Sequence, residues 1–197
     1  MSKGDDTRAR IVALAEARAS VEGLMSLSIG ELAAEAGMSK SGLFARFGSK
    51  DELRRAVLES MTGRFRDAVW VPSAGEAHGL GRLRAIFKHW KGWIDGYHLP
   101  GGCPIMTAVN ELDDHPGPLR DYLRDRQDSW SGLLAREWER AQDRGEIGRG
   151  VDGQQFAFEV NGIMMAYGWS HRLMNDPRAA RSAEAAFEGL IARAGPP

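Results

Sequence analysis

Between Ser28 and Lys50 the 197-residue chain sets small hydroxyl and basic side chains at a spacing suited to reading DNA. Two short helical segments meet at Gly37. The first opens at Ser28-Ile-Gly-Glu31, whose Ser and Glu read as a capping box. The second opens at Ser39 and stops at Gly48. Two helices joined by a short Gly-containing turn form a helix-turn-helix unit. Ala33 is small where such helices cross, and Gly37 can take the left-handed backbone the turn needs. With Ile29, Leu32, Leu43 and Phe47 inward, a rotation of about 100° per residue turns Ser41 and Ala45 outward, flanked by Gly42 and Phe44. Such a small, nearly uncharged face can enter a major groove, where Ala meets a thymine methyl and Ser donates or accepts. Lys40, in the first turn, reaches bases or phosphates, while Arg46 and Lys50 at the edges are placed for phosphates. Ser28 and Ser39, heading the two helices, complete the candidate DNA-contacting set, with free helix-start amides as further donors. A plain helical hairpin with solvated Ser and Lys would show the same spacing.

Other chemistry is sparse. The chain has no His-Glu-x-x-His, no Gly-x-Ser-x-Gly and no phosphate-binding glycine loop. No catalytic residue, resident metal or cofactor is therefore expected, and the chain does not read as an enzyme. Glu111, Asp113, Asp114 and His115 adjoin and could hold a divalent ion, but they stand at a Pro-Gly break where solvated acids are common. Cys103 reads as a small buried hydrophobe; a lowered thiol pKa near a helix start would instead make it a redox or electrophile sensor. As the single cysteine it forms no intramolecular disulfide, which favours a reducing compartment. The polar stretch Met1 to Arg10 does not read as a secretory signal, and the strongest apolar stretch, Ile163 to Tyr167, is five residues. A cytoplasmic protein without membrane attachment is expected.

The elements that must carry these residues are helices. Eight Val, eight Ile and three Thr stand against 26 Ala, which disfavours an extensive sheet. Periodicity predicts nine helices in an all-α fold: Thr7 to Glu22, the pair around Gly37, and Lys50 to Trp70 after a second capping box, Ser49-Lys-Asp-Glu52. Pro72, Gly75 and Gly79 mark a linker. Beyond it a helix carries Leu80, Leu83, Ile86, Phe87, Trp90 and Ile94, broken at His98-Leu-Pro-Gly-Gly102. Pro104 opens a short helix, and Leu119 to Ala141 form a long one ending at Gly145. Asp152 caps a helix running to Met174, and Asp176-Pro177 opens the last, to Ala194. The predicted division is a helix-turn-helix domain at 1–49, a connecting helix at 50–70, a linker at 71–79, and a ligand-binding and dimerisation bundle at 80–197.

Residues Arg8 to Leu53, with Gly23, Ser28-Ile29, Leu32-Ala33, Ala36-Gly37, Ser39-Lys40, Leu43-Phe44, Phe47 and Ser49-Lys50, resemble the N-terminal domain of TetR-family transcriptional regulators. The resemblance implies a homodimer that binds double-stranded operator DNA and is released by a small molecule held in an all-α C-terminal domain. A repressor is the expected sense of action. This chain departs from the pattern at Phe44, usually Tyr, at Arg46, usually His, and at Arg18-Ala19, usually an apolar residue and Phe. Leu24 and Met25 are the side chains available to fill the space left at Ala19.

In the C-terminal half, an apolar and aromatic pocket is expected from Phe87, Trp90, Met106, Trp130 and Met165, with Asn110 and Asn161 as polar groups that orient a ligand. Such stripes also form plain core. Small residues on the last two helices, with Gly162, Ala166, Gly168, Ala180, Ala183 and Phe187 as the candidate set, suit close packing in a two-fold dimer. A helical small-molecule binder or enzyme with a structural N-terminal hairpin is the other reading open at this point. Net charge is −1, but residues 39–66 hold seven basic and three acidic groups. That places a basic segment at the expected DNA face.

Overall fold

The computed structural model describes residues 3–96 and 99–196, and no strand occurs among them. Met1, Ser2 and the predicted helix-breaking His98 lie outside the described residues. Nine helices follow in order among the rest: α1 (Lys3–Glu22), α2 (Ile29–Glu35), α3 (Lys40–Phe47), α4 (Lys50–Phe65), α5 (Leu80–Asp95), α6 (Pro104–Leu112), α7 (Pro118–Asp143), α8 (Gly153–Arg172) and α9 (Ala179–Arg193).

α4 continues through a π turn, Arg66–Trp70, and a last turn, Val71–Ser73, so the predicted linker starts as helix. Pro72 does not stop it, because the hydrogen-bond ladder changes step there. The Val71 N–H reaches back five residues to Arg66 O, and Ser73 Oγ donates to Val69 O at 2.7 Å. At the other end of the chain, α8 stops at Arg172 rather than Met174, and Asn175 adopts a left-handed φ of 48°.

Two compact units emerge: Met1–Arg64 with Tyr97–Arg124, and Phe65–Gly96 with Asp125–Pro197. α6 and the start of α7 thus group with the N-terminal helices, which the linear division at 71–79 does not contain.

In the first unit, Ile11, Leu27, Leu32, Leu43, Leu53 and Val57 are fully enclosed and bind α1 to α4 around one core. Ala19 and Leu24 are both buried in this core, and Met25 packs against the same cluster. Arg18 fits because it ties helices together, pairing with Glu22 at 3.0 Å on α1 and with Glu31 at 2.7 Å on α2. Loop 99–102 lies against the end of α1, where the Gly101 N–H donates to Ser20 Oγ at 3.1 Å. A Cβ on Gly101 would fall 1.5 Å from Ser20 O, closer than any atoms can approach. Gly101→Ala must therefore lift this loop. A loss of about 1–3 kcal/mol is expected in chemical denaturation, as for other overpacked sites.

The second unit is built on aromatic stacking. Trp138 stacks on Phe156 at 4.1 Å, and Phe87 on Phe187 at 4.2 Å. The buried Trp138 indole donates to Val151 O at 2.8 Å. Asp152 caps α8 as predicted, its carboxylate accepting from the Gln155 N–H at 2.9 Å. The Tyr167 hydroxyl donates to Asp95, joining α8 to α5; burial and that carboxylate push its pKa upward.

Candidate nucleic-acid interface

The turn at Gly37 forms from local backbone chemistry. Gly37 has φ 66°; its N–H donates to Ala34 O at 3.1 Å, and the Met38 N–H to Ala33 O at 2.8 Å. These two bonds close α2 with the left-handed helix stop that glycine permits. Arg10 holds the same end from α1 by donating to Ala36 O at 3.0 Å. Ser39 then caps α3, its Oγ accepting the Gly42 N–H at 3.1 Å and lying 3.2 Å from Ser41 Oγ.

This geometry turns Leu43 and Phe47 into the core and leaves Ser39, Lys40, Ser41, Phe44, Ala45 and Arg46 exposed. Gly42, Ser28 and Lys50 are half-buried at its margins. Phe44 is half exposed, an unusual position for a phenyl ring and one suited to a thymine methyl. Lys40 folds across α2, its Nζ over Gly30. Ser49 caps α4 by accepting the Glu52 N–H at 3.0 Å, as predicted.

Two expectations about this region need correction. Ser28 makes no side-chain cap on α2, and the Glu31 carboxylate of the predicted capping box pairs with Arg18 instead. The basic segment 39–66 is also not one DNA-facing patch. Arg54 is buried and donates to Met25 O and Asp51. Arg55 stacks 3.9 Å above the Tyr122 ring and pairs with Glu59; Arg64 pairs with buried Glu16 at 2.7 Å, and Arg66 with Asp67. Those four charges are engaged away from the face of α3, and the basic residues on that face and beside it are Lys40, Arg46 and Lys50.

The predicted ligand set is not assembled into an open pocket. Phe87, Trp90, Trp130, Asn161 and Met165 belong to the second unit, Met106 and Asn110 to the first. Met165 and Asn110 are exposed, being on the outer sides of α8 and α6. The Asn161 amide donates to Ala157 O at 2.8 Å within its own helix. The apolar space between Leu83, Phe87, Trp90, Leu134, Phe156 and Phe187 admits no water molecule. Trp90 and Trp130 do come together, in a T-shaped contact at 5.2 Å.

Half of the predicted dimer set faces inward. Gly168, Ala183 and Phe187 are buried in the protomer, Phe187 against Phe87, while Gly162 and Ala166 are exposed and Ala180 is half-buried. Sequence reasoning missed the large side chains on the outer face of α8. Phe158, Met165 and Trp169 are exposed, and Leu173 just beyond the helix continues the stripe. Their spacing of seven, four and four residues is a helical stripe distinct from buried Phe156, Val160, Met164 and Tyr167, and it was there to be read.

Among the described residues no three His, Cys, Asp or Glu side chains group to hold a metal. Glu111 instead accepts the Leu24 N–H at 2.6 Å, and Cys103 stands half-buried at the N-cap of α6. No helix among those residues is long and apolar enough to cross a membrane.

An all-α chain presenting a capped, hydroxyl-lined helix from a helix-turn-helix defines a DNA-binding regulator. The chain belongs to the TetR family of bacterial regulatory proteins: residues 79–187 match the tetracyclin repressor-like C-terminal domain, and residues 11–57 the tetR-family N-terminal region. No curated protein matches it. Among solved structures, a TetR transcriptional regulator from Chloroflexus aurantiacus J-10-FL is 29% identical with a TM-score of 0.84, covering 97% of this chain and 95% of that one. A TetR-family regulator from Streptomyces coelicolor is 21% identical, with a TM-score of 0.79 and 95% of each chain covered. AibR, solved in complex with isovaleryl coenzyme A and operator DNA, is 21% identical with a TM-score of 0.76, covering 94% of this chain and 98% of that one.

Proposed function

We propose that this chain is a homodimeric repressor that holds double-stranded operator DNA through α3 and releases it when a mainly apolar or aromatic small molecule binds the second unit. The observation that carries the reading is the outer face of α3, where Lys40, Ser41, Phe44, Ala45 and Arg46 are exposed on a helix fixed at both ends. Residues 1–49 read DNA in this proposal, and residues 80–197 bind effector and partner. The neighbour solved with both a coenzyme A thioester and operator DNA supports a ligand-linked mechanism on this fold.

A dimer would set two recognition helices on successive major grooves about 34 Å apart, or somewhat more, along a pseudo-palindromic site. The effector acts by its differential affinity for DNA-binding and released states. The partner surface we assign is the outer stripe of α8, Phe158, Met165, Ala166, Trp169 and Leu173.

Fluorescence anisotropy with the DNA upstream of the protein's own gene tests the reading. Sequence-preferring binding at low salt is expected, and its absence with folded dimer present rejects the regulator assignment. Lys50→Ala should weaken binding to all sequences and reduce the salt slope by about one, the signature of a lost phosphate contact. Ser41→Ala should change preference at one operator position instead. Like behaviour of the two variants would contradict this division of labour.

A further inference from the structure

Phe65, the last residue of regular α4, sits in a box of three tryptophans. Its ring meets Trp90 at 5.7 Å, Trp93 at 5.6 Å and Trp130 at 5.0 Å, each nearly perpendicular to it. All four rings belong to the second unit. We propose that this box is the effector seat, that Phe65 occupies it as a built-in stand-in, and that the effector is an aromatic ring bearing a hydrogen-bond acceptor. This rests on the reading of the chain as an effector-released regulator and names the chemistry of that effector.

Three observations converge on the box. The edge-to-face geometry on three sides is the arrangement aromatic rings prefer, so a ring is the shape the box recognises. The Trp130 Nε1–H is buried and has no hydrogen-bond partner among the described residues. A buried donor without an acceptor is a standing cost, which a carbonyl or ether oxygen on an incoming ring would remove. Phe65 offers no such atom. A better occupant therefore has the ring of Phe65 plus an acceptor directed at Trp130.

The third observation gives Phe65 a way out. The π turn Arg66–Trp70 begins at the next residue, placing one extra residue in the helix at that point. Such an insertion can move along a helix, and as it passes a residue it rotates that side chain by about 100°. A step of the insertion toward the N-terminus would swing Phe65 out of the box. The adjoining apolar space admits no water, so entry of a ring requires a side chain to leave, and Phe65 is the one with a hinge beside it.

The test uses the full chain, with acetophenone as a ring carrying an acceptor and ethylbenzene as a ring of similar size without one. In the nitrogen-15 spectrum of the six tryptophan indoles, the resonance absent from Trp130→Phe should shift on adding acetophenone. Acetophenone should bind about five- to tenfold tighter than ethylbenzene, the worth of one hydrogen bond, and Trp130→Phe should bring the ratio near one. Phe65→Ala should raise acetophenone affinity about tenfold, because no ring has to be displaced. Phe65→Leu should move it in the same direction if the Ala variant does not fold. Equal affinities for the two probes, an unmoved Trp130 resonance at saturating acetophenone, or Phe65 variants that bind like the parent would each overturn the proposal. Loss of operator binding in every variant without ligand would strike the regulator reading alone, since the indole shifts do not depend on DNA.

Discussion

Phe158→Glu combined with Trp169→Glu is expected to convert the protein to monomers and lower operator affinity about a hundredfold or more. Five of the eight large hydrophobic side chains exposed among the described residues fall between Phe158 and Met174. Phe158 and Leu173 are each at least 75% exposed, so neither contributes much to the protomer core. Covering a large apolar side chain is worth about 1.5–3 kcal/mol, and a two-fold interface presents each one twice. The paired glutamates would bring four carboxylates into that surface, uncompensated and desolvated. Operator binding should follow, because joining two half-site readers raises affinity by about 10² to 10⁴ through effective concentration. Sedimentation velocity and anisotropy read the two effects, while far-ultraviolet circular dichroism should stay unchanged. A variant that remains dimeric places the interface elsewhere.

The proposed interface shows where sequence is a poor guide. Gly168 and Ala183 are small for packing inside the protomer, and Phe187 is buried against Phe87. Small size signals close approach but not whose helix approaches. α8 carries two apolar faces, and only contacts made with α5 and α9 show which one is covered. Local chemistry was legible wherever it is completed within a few residues. Gly37, Ser39, Ser49, Pro104 and Asp152 all stand where capping and turn rules put them. Glu31 fails the same rule because Arg18, thirteen residues away and the wrong residue type for its expected core position, takes its carboxylate. The charge count of segment 39–66 misled for the same reason. Arg54 and Arg64 point at partners that sequence does not place near them, a Met25 carbonyl and buried Glu16. The face of α3 was readable because the turn and cap that orient it are completed locally, by Gly37 and by Ser39 with the Gly42 N–H. That the rings predicted to line a ligand pocket close upon one another, Trp90 against Trp130, was not readable, because periodicity gives the face of a helix and not what fills the space it faces.

Glu137→Ala should destabilise the second unit by about 3–5 kcal/mol, the loss expected when one member of a buried ion pair is removed. The Glu137 carboxylate is 2% exposed and receives Arg140 at 2.6 Å and the Gly79 N–H at 3.2 Å, with His78 Nδ1 at 2.9 Å. Arg82, also buried, stands 3.6 Å away, anchored to Ala74 O and Glu76 O. Removing the carboxylate takes the opposite charge 3.6 Å away from the buried Arg82 guanidinium and frees the Gly79 N–H at the start of α5. For the 197-residue chain that energy is a fall in Tm of roughly 6–20 °C. The half-exposed Arg84–Glu188 pair is the internal control, because solvent screens it and Glu188→Ala should cost less than about 1 kcal/mol. Acidity discriminates further. Burial pushes the Glu137 carboxyl up, but the Gly79 and His78 hydrogen bonds and the Arg140 charge outweigh it and hold the group below its ordinary range. A carboxyl lowered in the folded state contributes its full stability above the unfolded value of about 4.3, and loses it as pH falls through the lower folded value. The parent should therefore lose stability below about pH 4 more steeply than Glu137→Ala, and the two should converge in acid. Parallel curves across that range would show that the carboxylate is not what holds Arg82 and the start of α5 in place.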